Sequence, residues 1–156
     1  MRQHKYELTI QDCDWVFRKY PKFIEAVLLR AEANAELGKY AASLNELDHV
    51  VRIRPNLESY ARALRERAWF RSTCPDASFR NGNQAIADAN LACKLTKWKD
   101  ASTIDALALA YAEIGDFDSA VRYEEQAIGL ADPSNLELKR CRRHLALFKQ
   151  RQPVRM

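Results

Sequence analysis

Glycine is scarce in this chain, with four copies among 156 residues. A Gly-rich loop of the kind that cradles phosphates is therefore absent, and Asn81-Gly82-Asn83, with its lone Gly, reads as a helix cap. Gly38, Gly82 and Gly115 all fall where one helical pattern stops and the next begins. Pro21, Pro55 and Pro133 sit at the ends of helical stretches, where a missing N–H does least harm. No stretch alternates Val, Ile and Thr with polar residues over a useful length, which excludes a sheet. The chain is expected to be all-α.

Long apolar runs are missing too. The longest, residues 106–112, is far below the roughly 20 residues that span a bilayer. The opening residues Met-Arg-Gln-His-Lys-Tyr-Glu lack the apolar core of a signal peptide, so a soluble, cytoplasmic protein is expected. Cys13, Cys74, Cys93 and Cys141 are scattered with no Cys-x-x-Cys pair, which predicts reduced thiols rather than a disulfide framework or zinc site. His4, His49 and His144 stand far apart, and Glu46 with His49 makes only a single Glu-x-x-His. No metal site, no cofactor and no nucleophile–base pair emerges. An enzyme is not expected.

What the chain does have is a period. Residues 5–21 echo residues 39–55 at a spacing of 34: Lys5 meets Lys39, Tyr6 meets Tyr40, Asp14 meets Asp48, Val16 meets Val50, Arg18 meets Arg52 and Pro21 meets Pro55. A fixed period near 34 marks helix-turn-helix units that bury their apolar faces against their neighbours.

The helical pattern continues through the rest of the chain. Residues 24–37 form an amphipathic helix ended by Gly38, and residues 40–53 its partner, with Leu44, Leu47, Val50 and Val51 on one face. Residues 57–71 open the next unit with Tyr60, Ala61, Leu64 and Ala68 at helical spacing. An insert at about 72–82 then delays the partner helix at 83–96, so this unit spans 58–99 and is eight residues longer than 34. Ser72 or Thr73 can cap a short turn there, Pro75 suits its start, and Asn81-Gly82 suits a left-handed ending. A miniature ordered helix is expected. Residues 101–134 make the cleanest unit, with Ile104, Leu107, Ala108 and Tyr111 on its first helix and Ala120, Val121, Ala127 and Ile128 on its second. Residues 135–149 follow with Leu138, Cys141, Leu145 and Phe148 on one face and Lys139, Arg140, Arg142 and Arg143 on the other, the two-faced character of a capping helix.

These residues resemble the tetratricopeptide repeat (TPR) family. Ala31, Gly38-Lys39-Tyr40, Ser43 and Pro55 fit the family pattern in one unit. Ala108, Tyr111, Gly115-Asp116-Phe117, Ala120, Ala127 and Pro133 fit it in another, with the Pro one position late. The middle unit departs through its insert and has Trp98 where a closing Pro belongs. The resemblance covers residues 5–134 or so. The run from Cys74 to Ala85, then Ala92-Cys93-Lys94-Leu95-Thr96, then the run from Asp105 to Phe117, is also similar to the C-terminal repeats of larger bacterial proteins.

The resemblance implies a right-handed α-α superhelix in one domain over 1–156: a half repeat (5–21), repeats at 24–57, 58–99 and 101–134, a capping helix (135–149) and a tail (150–156). It implies a protein-interaction scaffold that binds a peptide or partner domain in a concave groove lined by the first helix of each unit. Helical phase then offers Leu28, Glu32, Ala35 and Glu36 from one unit and Arg62, Glu66, Trp69 and Phe70 from the next. The last unit adds Asp105, Leu109, Ala112 and Glu113, and Lys139 and Arg143 close the far end. The charges of that groove are mostly acidic with one basic end, which favours a partner carrying basic residues. Trp69 and Phe70 are either contact anchors or the packing that holds the insert down. Leu28, Glu32 and Ala63 occupy the positions where some family members clamp a chaperone tail's carboxylate, and none can donate to one.

Two other roles stay open. The array is a spacer or self-association element with no groove ligand, or its basic C-terminal helix contacts nucleic acid: residues 134–156 hold seven Lys or Arg against one acid, Glu137. The echo places Lys5-Tyr6 at an inter-helix turn, so the chain is expected to open on an orphan second helix whose apolar side (Ile10, Cys13, Trp15 or Phe17) lacks part of its cover. Either Met1 lies inside a longer array, or another copy of the chain covers that edge as a homodimer.

Overall fold

A computed structural model of the chain describes residues 2–20, 23–134 and 136–156. Among the described residues there is no strand, and eight α-helices follow in order: α1 (Arg2–Lys19), α2 (Ile24–Glu36), α3 (Tyr40–Ile53), α4 (Leu57–Thr73), α5 (Gly82–Leu95), α6 (Ala101–Glu113), α7 (Phe117–Leu130) and α8 (Leu136–Lys149). The all-α expectation holds. No described helix is long and apolar enough to cross a membrane. Pro21, expected to close the first stretch, lies outside the described residues.

The helices pack as two compact units, Met1–Ala63 and Leu64–Met156, divided within α4. The repeat frame expects no boundary there.

In the first unit, α2 packs against both α1 and α3. Val27, Leu28, Ala31, Leu47 and Val50 form its interior together with Cys13 of α1. Arg30 ties the three helices, with Nη1 2.5 Å from Asp14 and Nε 2.8 Å from Glu46. Gly38 ends α2 at φ +73°, which lets the Lys39 N–H reach back to the Asn34 carbonyl at 2.8 Å. The turn expected at Lys5-Tyr6 is not there: α1 runs straight through both residues. The counterpart of Gly38 is His4, which has a Cβ and does not readily take the left-handed conformation such a turn needs. Cys13 is buried and Ile10 and Phe17 are half-covered, while Trp15 is 54 % and Leu8 46 % exposed.

In the second unit α6 is the central helix, in contact with α5, α7 and α8. That is why residues 106–112 are apolar on every side: each residue from Thr103 to Ala110 is buried. Ala68, Ala85, Ala89, Ala110 and Ala127 let the backbones approach closely around Ile104 and Leu107. Gly115 repeats the Gly38 turn at φ +83°, with the Asp116 N–H on the Tyr111 carbonyl at 3.0 Å. Trp98, in place of the closing Pro, stacks on Tyr123, which stacks on Tyr111.

The insert holds a short 3-10 helix, Ala77–Phe79, capped by Asp76 through the Ser78 N–H. Ser72 and Thr73 do not cap it: their hydroxyls donate back to the Ala68 and Trp69 carbonyls inside α4. Asn81-Gly82 is not a left-handed ending either. Asn81 accepts from the Gln84 N–H as the N-cap of α5. Gly82 sits where an added Cβ would come 2.5 Å from Ile114 Cγ2.

Candidate functional site

The N-terminal half of α6 places a charged side chain in the interior of the second unit. Asp105 is fully buried. Its Oδ1 accepts from His144 Nδ1 at 2.7 Å and its Oδ2 from Arg140 Nε at 3.1 Å, both on α8. His144 is buried as well, its ring 5.6 Å from that of Trp69, and Arg140 lies over the same indole at 5.0 Å. Glu124 of α7 and Cys141 of α8 complete the cluster. Burial, reinforced by the nearby Asp105 charge, pushes the Glu124 carboxyl up to about 10, so it is neutral at physiological pH. The Cys141 thiol is raised by the same two causes.

Among the described residues, Asp105, Glu124 and Cys141 form the group that could hold a metal ion, with donor atoms within 4.8 Å of one another. Arg140 already brings positive charge to Asp105, and the other two groups keep their protons, while both Glu124 oxygens and His144 Nε2 are buried without a hydrogen-bond partner. Asp105 and His144 resemble the orienting half of a catalytic dyad, yet solvent reaches neither. Their geometry anchors α8 to α6.

The C-terminal half of the same α6 face is occupied by the chain itself. Beyond α8, Arg151 lies over the Phe117 ring at 5.7 Å. Val154 packs against the cluster that contains Leu109, Ala112 and Phe148, with Trp69 at its border. Arg155 Nη2 lies 2.8 Å from Glu113 Oε2, and its Nη1 donates to the Ser72 carbonyl at 3.2 Å. The Met156 N–H donates to the Thr73 carbonyl at 2.9 Å. Glu113 is held from its other side by Arg80 Nε at 2.9 Å. The terminal segment leaves α8 through a turn at Arg151 (φ +55°), and residues 153–156, without regular structure, cross over α6 to the last turn of α4.

The other end of the α6–α8 seam is open. A cleft of about 640 Å³ is lined by Ser102, Leu136, Glu137, Lys139, Arg140 and Arg143. Arg140 is steadied by Asp105 and by the Ser102 hydroxyl at 3.3 Å. Lys139 and Arg143 are exposed and have no ion-pair partner among the described residues.

The structure redistributes the residues expected to line one groove. Leu28, Phe70, Asp105 and Leu109 are buried, at 3 % exposure or less, and present no free surface. Phe70 meets Phe79 of the insert edge to face, as packing of the insert requires. Trp69 turns instead toward α8. Within the first unit Glu32 and Glu36 are exposed on α2 and Arg62 is half-buried. Within the second, Glu66 is paired with Arg65 at 2.7 Å. The acidic character expected of the groove does not survive in the second unit, where Asp105 and Glu113 are each matched by arginine and Lys139 and Arg143 are not. Glu124 and Arg155 were not singled out from the sequence, and Arg140 and His144 stood there only as part of a basic face and as one of three scattered histidines. A buried His and a pairing Arg on a helix read as one more basic face, and segment 151–156 has no periodicity to betray its docking. Comparison with protein-family models, with curated proteins and with solved structures finds no match to this chain.

Proposed function

We propose that the chain is a non-catalytic protein-interaction module, built of helix-turn-helix repeats of the TPR solenoid class and working in the cytoplasm. Its second unit receives an extended partner segment on the face formed by α4, α6 and α8. What supports this reading is that the face already accommodates a segment without regular secondary structure, the end of the chain beyond Arg151. It does so with a main-chain hydrogen bond at Thr73, an apolar contact at Val154 and a guanidinium on Glu113. Those are the elements of extended-peptide recognition: backbone bonds for affinity, pockets and charges for selectivity. The site favours a partner that carries a basic residue, which replaces the chain's own segment.

The test uses a labelled peptide of residues 150–156, Gln-Arg-Gln-Pro-Val-Arg-Met, titrated into the full chain carrying Val154→Asp and Arg155→Glu. Saturable binding is expected, lost on adding Glu113→Lys, and at least tenfold weaker to the unsubstituted chain, whose own segment competes. No binding to the released chain, with helix content unchanged by circular dichroism, rejects the reading.

A second reading, self-association, rests on Trp15 and Leu8, which leave an apolar edge on α1 open. It requires a dimer in light scattering that Trp15→Arg dissociates.

A further inference from the structure

Residues 134–156 hold seven basic side chains, and four of them have an ion-pair partner in the structure. Arg140 lies on Asp105, Lys149 on Glu125 at 3.2 Å, Arg151 near Asp118 at 3.8 Å, and Arg155 on Glu113. Lys139, Arg142 and Arg143 have no ion-pair partner among the described residues, and all three fall within five consecutive positions of α8. This placement works against the helix. Lys139 and Arg143 are a like-charge pair at i, i+4, and Lys139 lies close to the helix N-terminus, whose dipole disfavours a cation. An anion seated between the two relieves both penalties.

The cleft described above lies beside them, with Lys139 and Arg143 in its lining and Arg140 held still by Asp105 and Ser102. Leu136, 76 % exposed, gives it an apolar lip. We infer that this cleft binds an acidic, extended protein segment, with two carboxylates set one helical turn apart on Lys139 and Arg143 and an apolar side chain on Leu136. The site is separate from the face that holds residues 151–156: Ser102 lies in the first turn of α6 and Glu113 ends it.

Nucleic acid fits the same cations less well. The lining contains no aromatic side chain on which a base could stack, since Trp69 lies beneath Arg140. Glu137, held by Arg140 at 3.7 Å and by the Ser102 hydroxyl, also interrupts the cations a continuous run of phosphates would need, whereas a peptide carries its charges only where side chains place them.

The experiment is fluorescence anisotropy on the full chain at about 0.1 M salt, where surface charges still interact over about 10 Å. The probe is a fluorescein-labelled peptide of four glutamates around a central leucine. Saturable binding is expected. Lys139→Glu with Arg143→Glu should weaken it at least tenfold, Lys139→Ser alone three- to fivefold, and the glutamine version of the peptide should not bind. Arg142→Glu, on α8 but outside the cleft lining, should change affinity less than twofold. Circular dichroism of each variant separates loss of the site from loss of the fold. An Arg142→Glu effect as large as the double reversal overturns the proposal, because the helix would then act as a diffuse basic surface. So does tighter binding of a ten-nucleotide oligouridine than of the acidic peptide.

Discussion

Arg155 stands 2.8 Å from Glu113 and donates from its other terminal nitrogen to the Ser72 carbonyl, so one guanidinium ties residues 151–156 to both α6 and α4. Arg155 is about a third exposed, so solvent screens the pair. Arg155→Ala should cost about 1 kcal/mol in urea unfolding, an ordinary exposed-pair value plus one lost hydrogen bond. Trypsin should cut at Arg151 sooner in the variant than in the parent. Unchanged proteolysis would mean that the segment is held by Val154 and the main chain alone.

Asp88 is paired with two arginines of α4 within the second unit. It is 5 % exposed and accepts from Arg67 at 2.8 and 2.7 Å and from Arg71 at 3.3 Å. Asp88→Asn leaves two poorly solvated guanidiniums facing a neutral amide. The expected loss is about 3 kcal/mol, the scale for breaking a buried pair from one side, read as a lower urea midpoint. Asp88→Asn combined with Arg67→Met should recover part of that loss.

Gly82 is required for space rather than for backbone freedom. A Cβ there would lie 2.5 Å from Ile114 Cγ2 and 3.3 Å from Glu113 Cγ. Gly82→Ala should destabilise by about 1–2 kcal/mol, the usual cost of overpacking, although alanine is the better helix former. Ile114→Ala in the same chain should remove most of the penalty. An additive double mutant would place the strain elsewhere.

Glu124 should make stability fall as pH rises. Its carboxyl has an ordinary pKa of 4.5 and is raised by burial, and then by Asp105, to about 10 in the fold. The folded chain therefore keeps a proton that the unfolded chain releases above pH 4.5. The contribution is fully present below that value and is lost progressively toward pH 10. The slope has an upper bound of about 1.36 kcal/mol per pH unit, the limit for one proton. Glu124→Gln should flatten this slope and raise the urea midpoint at pH 8. A variant with the parent's slope would assign the pH dependence to another group.

Much of the secondary structure was legible from local chemistry. Gly38 and Gly115 marked their turns because only the left-handed conformation closes those helices, and the apolar spacing of residues 24–37, 40–53 and 101–130 located the helices they join. The same local logic failed at Lys5-Tyr6, where the 34-residue echo predicted a turn but His4, with its Cβ, stands where Gly38 stands in the other unit and α1 runs on. It also failed at Gly82, whose role is a contact with α6 and not a backbone angle.

The sequence by itself determined that the chain is helical, where most helices begin and end, and which faces are apolar, because propensity, caps and periodicity act within a few residues. Only the tertiary structure decided which charges remain available. Asp105 meets Arg140 and His144 more than thirty residues away, and Glu113 meets both Arg80 and Arg155. Pairing over such separations depends on how helices pack, and no local pattern encodes it. It closed one end of the expected groove with residues 151–156 and left Lys139 and Arg143 uncompensated at the other.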